Sequence, residues 1–476
     1  MKVRQSKRTV TFVLIAIVAL FANTACNSLL QRVGLGTIAR RIVATPGQPF
    51  ADATPTPVPA NLTTAALVKL RSKLRVGIRF DAPPLASVNT AGEIEGLDAD
   101  IAREFARRWL GSEANIEFVQ VTSASAPRRI KNRELDLALG GLSLSRAADK
   151  DADFSLPYFT DGEALLIRTN SYADFASMAQ KDVLYIDGQS LPALSAGQIA
   201  SNITITFKSE VSYANAVQAL LDGKTEGVLG RWRRFKLITQ RDPALSILTV
   251  LQSEPVAILL PQDDSQWMAL VNLTLSAMIA DGFYAKSYQK WFGVPPDAVR
   301  VIPQPAPPNL AQMVDERVVN KTLDRIKANN AVRIGYVPRA APANALVGLD
   351  ANAQPAGFEV DVSQDVAQRL QPGIAITYTP LAENQVAQAL ATGKVDMVIG
   401  ALPQTSANVL AWSFSNTTLE SSGTVVSGTV SLNLAAPIGI ALPMNDSALR
   451  DAVNGALQDM RNEGGYDAIK AKWFGG

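Results

Sequence analysis

Lys290-Trp291-Phe292-Gly293 occurs a second time in the chain, as Lys472-Trp473-Phe474-Gly475. The spacing around both copies is the same: a Tyr lies seven residues before the Trp, and a Pro lies thirty-six residues before it. A Pro-x-x-Asp-Ser string follows each of these prolines, at 261–265 and 443–447. Because shared spacing over about forty residues without a gap is hard to reach by chance, we interpret the chain as an internal duplication.

The repeat extends upstream, where an opening strand and a helix start match between the copies. The matching segments are 74–77 with 332–335, and 96–100 with 357–361. Further along, the interval 154–255 spans 101 residues in the first copy, whereas the interval 414–437 spans only 23 in the second. The second copy therefore lacks a block of 78 residues, which is the size of a structural unit.

The composition favours two folded bodies and argues against several classes of function. The chain has 476 residues with 47% apolar content, which exceeds the size at which a single core keeps growing. A net charge of +2 and a charged fraction of 18% argue against a nucleic-acid partner. The chain has no His, the usual general base and metal ligand, so we predict no metal, no cofactor and no hydrolytic triad.

The N-terminus has the pattern of an export signal. Basic residues precede an apolar run of about thirteen residues, which is too short for the roughly 20 residues of a spanning helix. The only Cys, Cys26, follows this run and resembles the lipidated Cys of bacterial lipoproteins, although Asn23 stands where that motif usually has Leu. We expect residues 1–25 to be a lipoprotein signal peptide and Cys26 to carry lipid. The alternative is an ordinary cleaved signal with an incidental Cys.

Two Pro-rich stretches divide the rest of the chain. One lies within residues 26–66 and indicates an extended tether, and the other lies within 294–312 and indicates a linker between the repeats. Inside each repeat, short β-branched runs alternate with amphipathic helical stretches, which is typical of an α/β sheet. We therefore expect folded domains at 67–293 and 313–476.

Residues 68–293 resemble the type II periplasmic or extracellular solute-binding proteins of bacterial family 3, which deliver polar amino acids to ABC importers. The segments that carry this resemblance are 74–79, 82–85, 92–102, 135–138, 153–162 and the Trp-Phe-Gly end. The resemblance implies two α/β lobes joined by two crossing strands, with a ligand held between them when the hinge closes. The lobes and strands that it implies are lobe 1 at 68–163 and 261–293, lobe 2 at 169–253, and crossing strands at 164–168 and 256–260.

The same resemblance accounts for the missing block, because those 78 residues fall between the crossing strands and correspond to lobe 2. The second domain, 313–476, is then a truncated α/β copy with a single lobe. Since a small-molecule site needs walls on both sides, we expect this copy to bind no solute and to have a structural or protein-binding role.

The family's ligand anchors are altered in the first domain. Where the family has an Arg that grips the ligand carboxylate, this chain has Ala148, and where it has an Asp for the ligand ammonium, this chain has Arg231. One interpretation is an electropositive cleft that binds an anionic solute, with hydroxyls adding neutral hydrogen bonds. Its candidate ligand-binding residues are Arg79, Ser143, Ser145, Arg146 and Arg231. The other interpretation is a site that has drifted, with 231–234 as a solvated helix start.

We therefore expect an extracytoplasmic solute-binding lipoprotein of an ABC-type importer, anchored to the cell membrane through lipid. It would bind a small polar or anionic, amino-acid-like solute and partner a membrane permease. The alternative is a receptor or scaffold lipoprotein that uses the fold for protein contacts. Catalysis is not expected, because Asp98 and Asp100 are predicted at the start of a surface helix, without the burial that a general acid needs. The Trp-Phe-Gly ends are predicted to serve packing.

Overall fold

The computed structural model describes most of the chain after residue 60. The described ranges are 61–143, 150–186, 206–210, 212–299, 301–302, 308–419, 423–427, 430–434 and 436–475. They belong to one compact unit, Val58–Gly476. The predicted signal peptide, Cys26, and the predicted site residues Ser145 and Arg146 lie outside the described residues. In the described part, no single helix has the length and hydropathy of a membrane span, and only one bent helix pair meets that test by length and composition.

The first repeat contains two five-stranded sheets and seven helices among the described residues. Its strands are β1 Leu74–Ile78, β2 Asp81–Ala82, β3 Ala86–Val88, β4 Ile94–Glu95, β5 Ile116–Gln120, β6 Leu137–Leu139, β7 Asp153–Phe154, β8 Phe159–Arg168, β9 Asp182–Ile186, β10 Thr206–Glu210, β11 Gly227–Arg231, β12 Leu245–Val256 and β13 Leu259–Leu260. Its helices are α1 Thr64–Arg71, α2 Leu97–Leu110, α3 Ala126–Lys131, α4 Tyr213–Leu221, α5 Trp232–Arg241, α6 Ser265–Ala280 and α7 Phe283–Phe292.

The first sheet has the strand order β5-β1-β6-β13-β7. Strands β5, β1 and β6 are parallel, whereas β13 pairs antiparallel with β6 and β7. Strands β1 and β6 are almost wholly apolar and buried, as expected of parallel strands covered by helices on both faces. The core of this body includes the fully buried side chains of Phe105, Trp267 and Phe292.

The second sheet has the order β10-β9-β11-β8-β12, and the chain enters it through β8 and leaves it through β12. These two strands pair antiparallel from the Phe159–Val256 pair to the Arg168–Leu245 pair. The chain therefore crosses between the sheets at 257–258, within the returning strand predicted at 256–260, and at 155–158, which precedes the outgoing strand predicted at 164–168. The physical reason is that β8 and β12 pair along almost their whole length and so belong to the second sheet.

Among its described residues, the second repeat keeps the first sheet and has no counterpart of the second. Its strands are β14 Ala331–Tyr336, β15 Gly348–Leu349, β16 Pro355–Ala356, β17 Ala375–Pro380, β18 Met397–Ile399, β19 Ser413–Leu419, β20 Gly423–Ser427, β21 Val430–Leu434 and β22 Ile438–Leu442. Its helices are α8 Thr322–Asn329, α9 Phe358–Leu370, α10 Val386–Ala391, α11 Ser406–Ala411, α12 Ser447–Asn462 and α13 Gly465–Phe474. The sheet order β17-β14-β18-β22-β19 repeats that of the first sheet, and the hairpin β20–β21 stands where the first repeat has its second sheet. The single-lobe α/β copy is thus confirmed.

The duplicated endings dock the last helix of each repeat. Trp291 donates through Nε1 to Asp100 Oδ2 at 2.8 Å, and Trp473 donates in the same way to Asp361 Oδ2 at 2.6 Å. The neighbouring Phe292 is fully buried. Lys-Trp-Phe-Gly therefore fastens the closing helix to the first turn of α2 or α9, and this contact is structural.

Candidate functional site

The two sheets of the first repeat face each other where their strands end. Arg79 follows β1, and Gly140 and Gly141 follow β6, so these residues lie at the carboxyl edge of the first sheet. Arg231 ends β11 of the second sheet, and Arg233 lies in the first turn of α5. Ligands of open α/β sheets bind beyond the carboxyl ends of the strands, so this region is the candidate site.

Arg231 is the centre of an ion-pair network. Its guanidinium lies 3.2 Å from Asp161 Oδ2, 3.1 Å from Glu163 Oε1 and 2.9 Å from Glu254 Oε2, and its side chain is 15% exposed. Burial opposes the charge of Arg231, but hydrogen bonds and charge from Glu254 and Glu163 outweigh it and raise the pKa of Arg231. The positive charge that the sequence assigns to an anionic solute is therefore compensated by carboxylates of the chain itself.

Ser143 joins this network from the first sheet. Its hydroxyl donates to Glu254 Oε2 at 2.8 Å and lies 3.5 Å from Nη2 of Arg231, while its backbone forms an isolated bridge with Val256. Burial disfavours the charge of Glu254, yet the hydrogen bonds from Arg231 and Ser143 lower its pKa. The structure thus brings two of the predicted site residues together, Ser143 and Arg231, at the base of the hinge.

Arg79 lies near this network but has its own partners. Its guanidinium donates to Asp81 at 3.0 and 3.2 Å and to Ser123 Oγ at 3.2 Å. The hydrogen bond from Arg79 outweighs burial and lowers the pKa of Asp81. A Cβ at Gly140 would lie 2.7 Å from the backbone nitrogen of Arg79, and Gly140 has φ +116°, so the close approach of these two loops requires glycine.

Arg233 is a buried cation that the sequence did not single out. It is 5% exposed, its backbone N–H donates to Asp161 Oδ1 at 3.3 Å, and its guanidinium also contacts Asp161. A Cβ at Gly141 would lie 3.7 Å from Cζ of Arg233, so the guanidinium reaches the edge of the first sheet. The interpretation of 231–234 as a solvated helix start is therefore wrong for Arg231 and Arg233, because carboxylates on β8 and β12 surround their guanidinium groups.

The electrostatic environment of Arg233 is unfavourable for a cation. Burial lowers the pKa of Arg233 to about 10, and the charges of Arg79 and Arg234 add to this effect. Its Nε has no hydrogen-bond partner among the residues that the structure describes. The guanidinium of Arg233 thus pairs with Asp161 and keeps one unused donor, Nε, that is available to a further anionic group.

Asp98 is fully buried, so its prediction as a surface helix start is wrong. Its carboxylate accepts hydrogen bonds from the N–H of Gly140 at 2.7 Å, from the N–H of Gly141 at 3.0 Å and from the Tyr158 hydroxyl at 2.7 Å. Burial raises the pKa of Asp98 to about 6, against these hydrogen bonds. Asp98 therefore holds the glycine turn that faces Arg233, and the sequence gives no sign of this because the two glycine donors lie 42 and 43 residues away.

The second repeat has equivalent hydrogen bonds, with Glu359 at the position of Asp98. Glu359 accepts hydrogen bonds from the N–H of Gly400 at 3.0 Å and of Ala401 at 2.6 Å. At the position that aligns with the family's carboxylate-gripping Arg, Asn408 donates to the Pro403 carbonyl at 2.9 Å. Within the described part of the chain, no group of three or more Cys, Asp or Glu side chains is arranged to hold a metal ion.

Two α/β bodies that meet at the carboxyl ends of their strands, with charged side chains between them, define a two-lobed solute-binding protein. The model of the bacterial extracellular solute-binding proteins, family 3, matches residues 74–294 and 332–476. The chain belongs to this family, whose members are extracytoplasmic solute-binding proteins. The two matched regions agree with the two repeats.

The relatives are amino-acid-binding proteins of ABC importers. The glutamine-binding protein of Geobacillus stearothermophilus is 28% identical over 42% of this chain and 76% of its own length. ABC transporter arginine-binding protein 1 of Escherichia coli (strain K12) is 24% identical over 46% of this chain and 90% of its own length. A solved ancestral amino-acid-binding protein, described as a precursor of cyclohexadienyl dehydratase, is 23% identical with a TM-score of 0.39, and the match covers 48% of this chain and 99% of that protein.

Proposed function

We propose that the protein is an extracytoplasmic solute-binding lipoprotein of an ABC-type importer. Its first domain, 67–293, takes up a small polar or anionic, amino-acid-like solute between its two sheets. Cys26 carries the lipid anchor, and residues 26–66 form the tether to the membrane. The partner is an ABC permease, and the second domain, 313–476, does not bind solute by the same mechanism, because it has one lobe.

The observation that carries this proposal is the buried guanidinium of Arg233 at the edge of the first sheet. Its guanidinium is paired with Asp161, but its Nε donor is unused, and the neighbouring charges of Arg79 and Arg234 favour the arrival of a carboxylate at that donor. The glutamine- and arginine-binding relatives support an amino acid as the solute class. In this proposal Arg233 takes the carboxylate, and Ser145 and Arg146, as predicted from the sequence, also bind the solute.

Arg231 has a different role from that predicted by the sequence. Three carboxylates already surround its guanidinium, so a direct bond to an anionic solute would require one of these pairs to open. We assign Arg231, with Ser143, to the contact between the sheets. In this role it sets the angle at which the two lobes meet around the solute.

Calorimetry with the chain from residue 27 onward tests the proposal. The titrants are the twenty amino acids, dicarboxylic acids and neutral sugars. For the compound that binds, Arg233→Gln should weaken the affinity by about 10- to 100-fold, because a charge-assisted hydrogen bond contributes roughly 1.5–3 kcal/mol. Arg241→Gln, an exposed position of the same helix, is the matched control. The absence of heat across all titrants would overturn the proposal, and equal affinities of the two variants would remove Arg233 from the site.

A second candidate function is a receptor or scaffold that uses the fold for protein contacts. It is favoured by the compensation of Arg231, since carboxylates of the same sheet, on β8 and β12, already neutralise this cation. In this case none of the titrants would change the radius of gyration measured by small-angle X-ray scattering. A solute that closes the hinge would reduce that radius.

The lipid anchor is tested separately by Cys26→Ser. We expect the wild-type chain in the membrane fraction, with a lipid mass on the first residue after cleavage, and the variant in the soluble fraction. Asn27→Ser is the neighbouring control and should stay membrane-bound. If the cleaved Cys26→Ser chain also stays in the membrane fraction, Cys26 is not the anchor.

A further inference from the structure

The two Pro-x-x-Asp-Ser strings, 261–265 and 443–447, contact each other. The N–H of Asp263 donates to Ser447 Oγ at 2.8 Å, and the N–H of Ser447 donates back to Asp263 Oδ1 at 2.9 Å. The N–H of Asn445 donates to Ser265 Oγ at 2.7 Å, and the N–H of Ser265 donates back to Asn445 Oδ1 at 3.0 Å. Four backbone and side-chain hydrogen bonds thus join the start of α6 to the start of α12.

The pairing is reciprocal in the register of the duplication. Asp263 occupies the same place in its string as Asn445, and Ser265 the same place as Ser447. The third residue of each string therefore contacts the fifth residue of the other. This exchange is the mark of an isologous interface, in which one surface patch meets its own copy across a two-fold axis.

The same symmetry extends to the strands beside the strings. The Ser447 hydroxyl donates to Asp153 Oδ2 at 2.7 Å, and the Ser265 hydroxyl lies 2.8 Å from that of Ser413. Asp153 begins β7 and Ser413 begins β19, and both precede the matching Phe-Ser pairs. Each serine of the strings therefore reaches the equivalent strand of the other repeat.

One ion pair breaks the symmetry. Nη1 and Nη2 of Arg450 lie 3.1 and 2.6 Å from the two carboxylate oxygens of Asp153, and both residues are buried. Nη1 of Arg450 also lies 3.7 Å from the sulfur of Met268, which is its own counterpart in the first repeat. Equivalent residues that contact each other lie at the two-fold axis, so the charged pair crosses the interface near its centre.

We propose that the second repeat is a built-in dimer partner, bound to a self-complementary surface of this module that is made of the two Pro-x-x-Asp-Ser strings and the starts of β7 and β19. The partner that fits this surface is a second copy of the same one-sheet body. Every residue named in the contact from the first repeat belongs to the body of the first sheet. The second repeat therefore holds that body and leaves the second sheet to move about the hinge.

The ion pair gives a direct test, because a two-fold surface should also accept the pair at the two equivalent positions, 268 and 413, which the two-fold rotation relates to 450 and 153. In the chain from residue 27 onward, Asp153→Ser with Arg450→Met removes the pair. Each position then has the residue type of its counterpart in the other repeat, Ser413 or Met268. We expect a melting temperature lower by several degrees. Adding Met268→Arg with Ser413→Asp to that variant places the pair on the mirrored side, and should restore most of the lost melting temperature.

Met268→Arg without Ser413→Asp is the control and should lower the melting temperature further, because it buries an unpaired charge. If the mirrored pair fails to restore stability, the surface is not two-fold and the proposal is overturned. If the four-residue variant does not fold, a milder exchange, Asp263→Asn with Asn445→Asp, is used in its place. Retained amide exchange protection of Ser265 and Ser447 in this exchange supports the proposal, and loss of protection at either amide overturns it.

Discussion

The two repeats share one body but differ in what is built on it. In both, a buried carboxylate near the start of a helix ties down the turn after the middle strand, Asp98 in the first and Glu359 in the second. At the edge where a solute would lie, the first repeat has Arg79 and the ion pairs of Arg231, whereas the described part of the second repeat has Arg339, which donates to the Gly400 carbonyl and to Glu383. The hydrogen bonds that fix the backbone turn are thus present in both repeats, whereas the residues of the site differ. These hydrogen bonds stabilise the first sheet whether or not a second sheet faces it.

The largest effect on stability is expected when a buried carboxylate is removed from the base of each sheet. Asp136 accepts hydrogen bonds from Arg71 and from the N–H of Arg75, and Asp396 does the same for Arg325 and Arg333. Asp136→Ala and Asp396→Ala should each lower the free energy of unfolding by about 3–5 kcal/mol, because they leave a cation and a backbone donor without their partner. Urea unfolding measures the loss.

Arg71 is more buried than Arg325, with side-chain exposures of 23% and 35%, so the loss in the first repeat should be the larger. Asp324→Ala, at an exposed position of α8, is the control for both variants. Losses below about 1 kcal/mol would contradict the claim that these carboxylates stabilise the shared body.

A second test concerns pH. Because burial raises the pKa of Asp98 to about 6, the folded chain binds more protons than the unfolded chain between about pH 4 and 6. Stability should therefore fall as the pH rises through this window, by up to about 3 kcal/mol. Asp98→Asn should flatten the slope, which chemical unfolding at a series of pH values would measure. Asp324→Asn is the control, and an unchanged slope in Asp98→Asn would contradict the assignment. Burial also raises the pKa of Glu359, so Glu359→Gln should reduce the slope in the same direction.

The smallest expected effect tests the duplicated endings. Trp291→Phe and Trp473→Phe each remove one hydrogen bond to a carboxylate, and each should cost about 1–2 kcal/mol. Trp412→Phe is a useful comparison, because Nε1 of Trp412 has no hydrogen-bond partner among the described residues. Thermal melting would measure all three variants. Unchanged melting for Trp291→Phe and Trp473→Phe would show that the endings contribute packing alone.

Much of the fold could be predicted because the duplication is gapless over long stretches. The interval from Pro255 to Trp291 equals that from Pro437 to Trp473, which indicates the same fold in both segments. The shorter interval after Phe414 identifies the missing sheet. The outgoing crossing strand was misplaced, since the pairing that extends β8 along β12 forms between residues that are far apart in sequence.

The site was harder to predict because burial there comes from strands that are distant in sequence. The charged run that begins at Arg231 has the composition of a solvated helix start, and the partners of Arg231 and Arg233 lie on β8 and β12. Asp98 likewise has the spacing of a helix start, and its donors come from a distant turn. Ser143 and Arg231 do meet, because both lie at ends of strands that point to the hinge. Ser145, Arg146 and Cys26 stay predictions, since they lie outside the described residues.

The contact between the strings 261–265 and 443–447 has a consequence for how the protein behaves at low abundance. Two separate modules with such a surface would pair only above their dissociation constant. Two modules joined by a short linker meet at an effective concentration of the order of millimolar, whatever the number of chains in the cell. A weak surface is then occupied in every molecule, and pairing is independent of expression level.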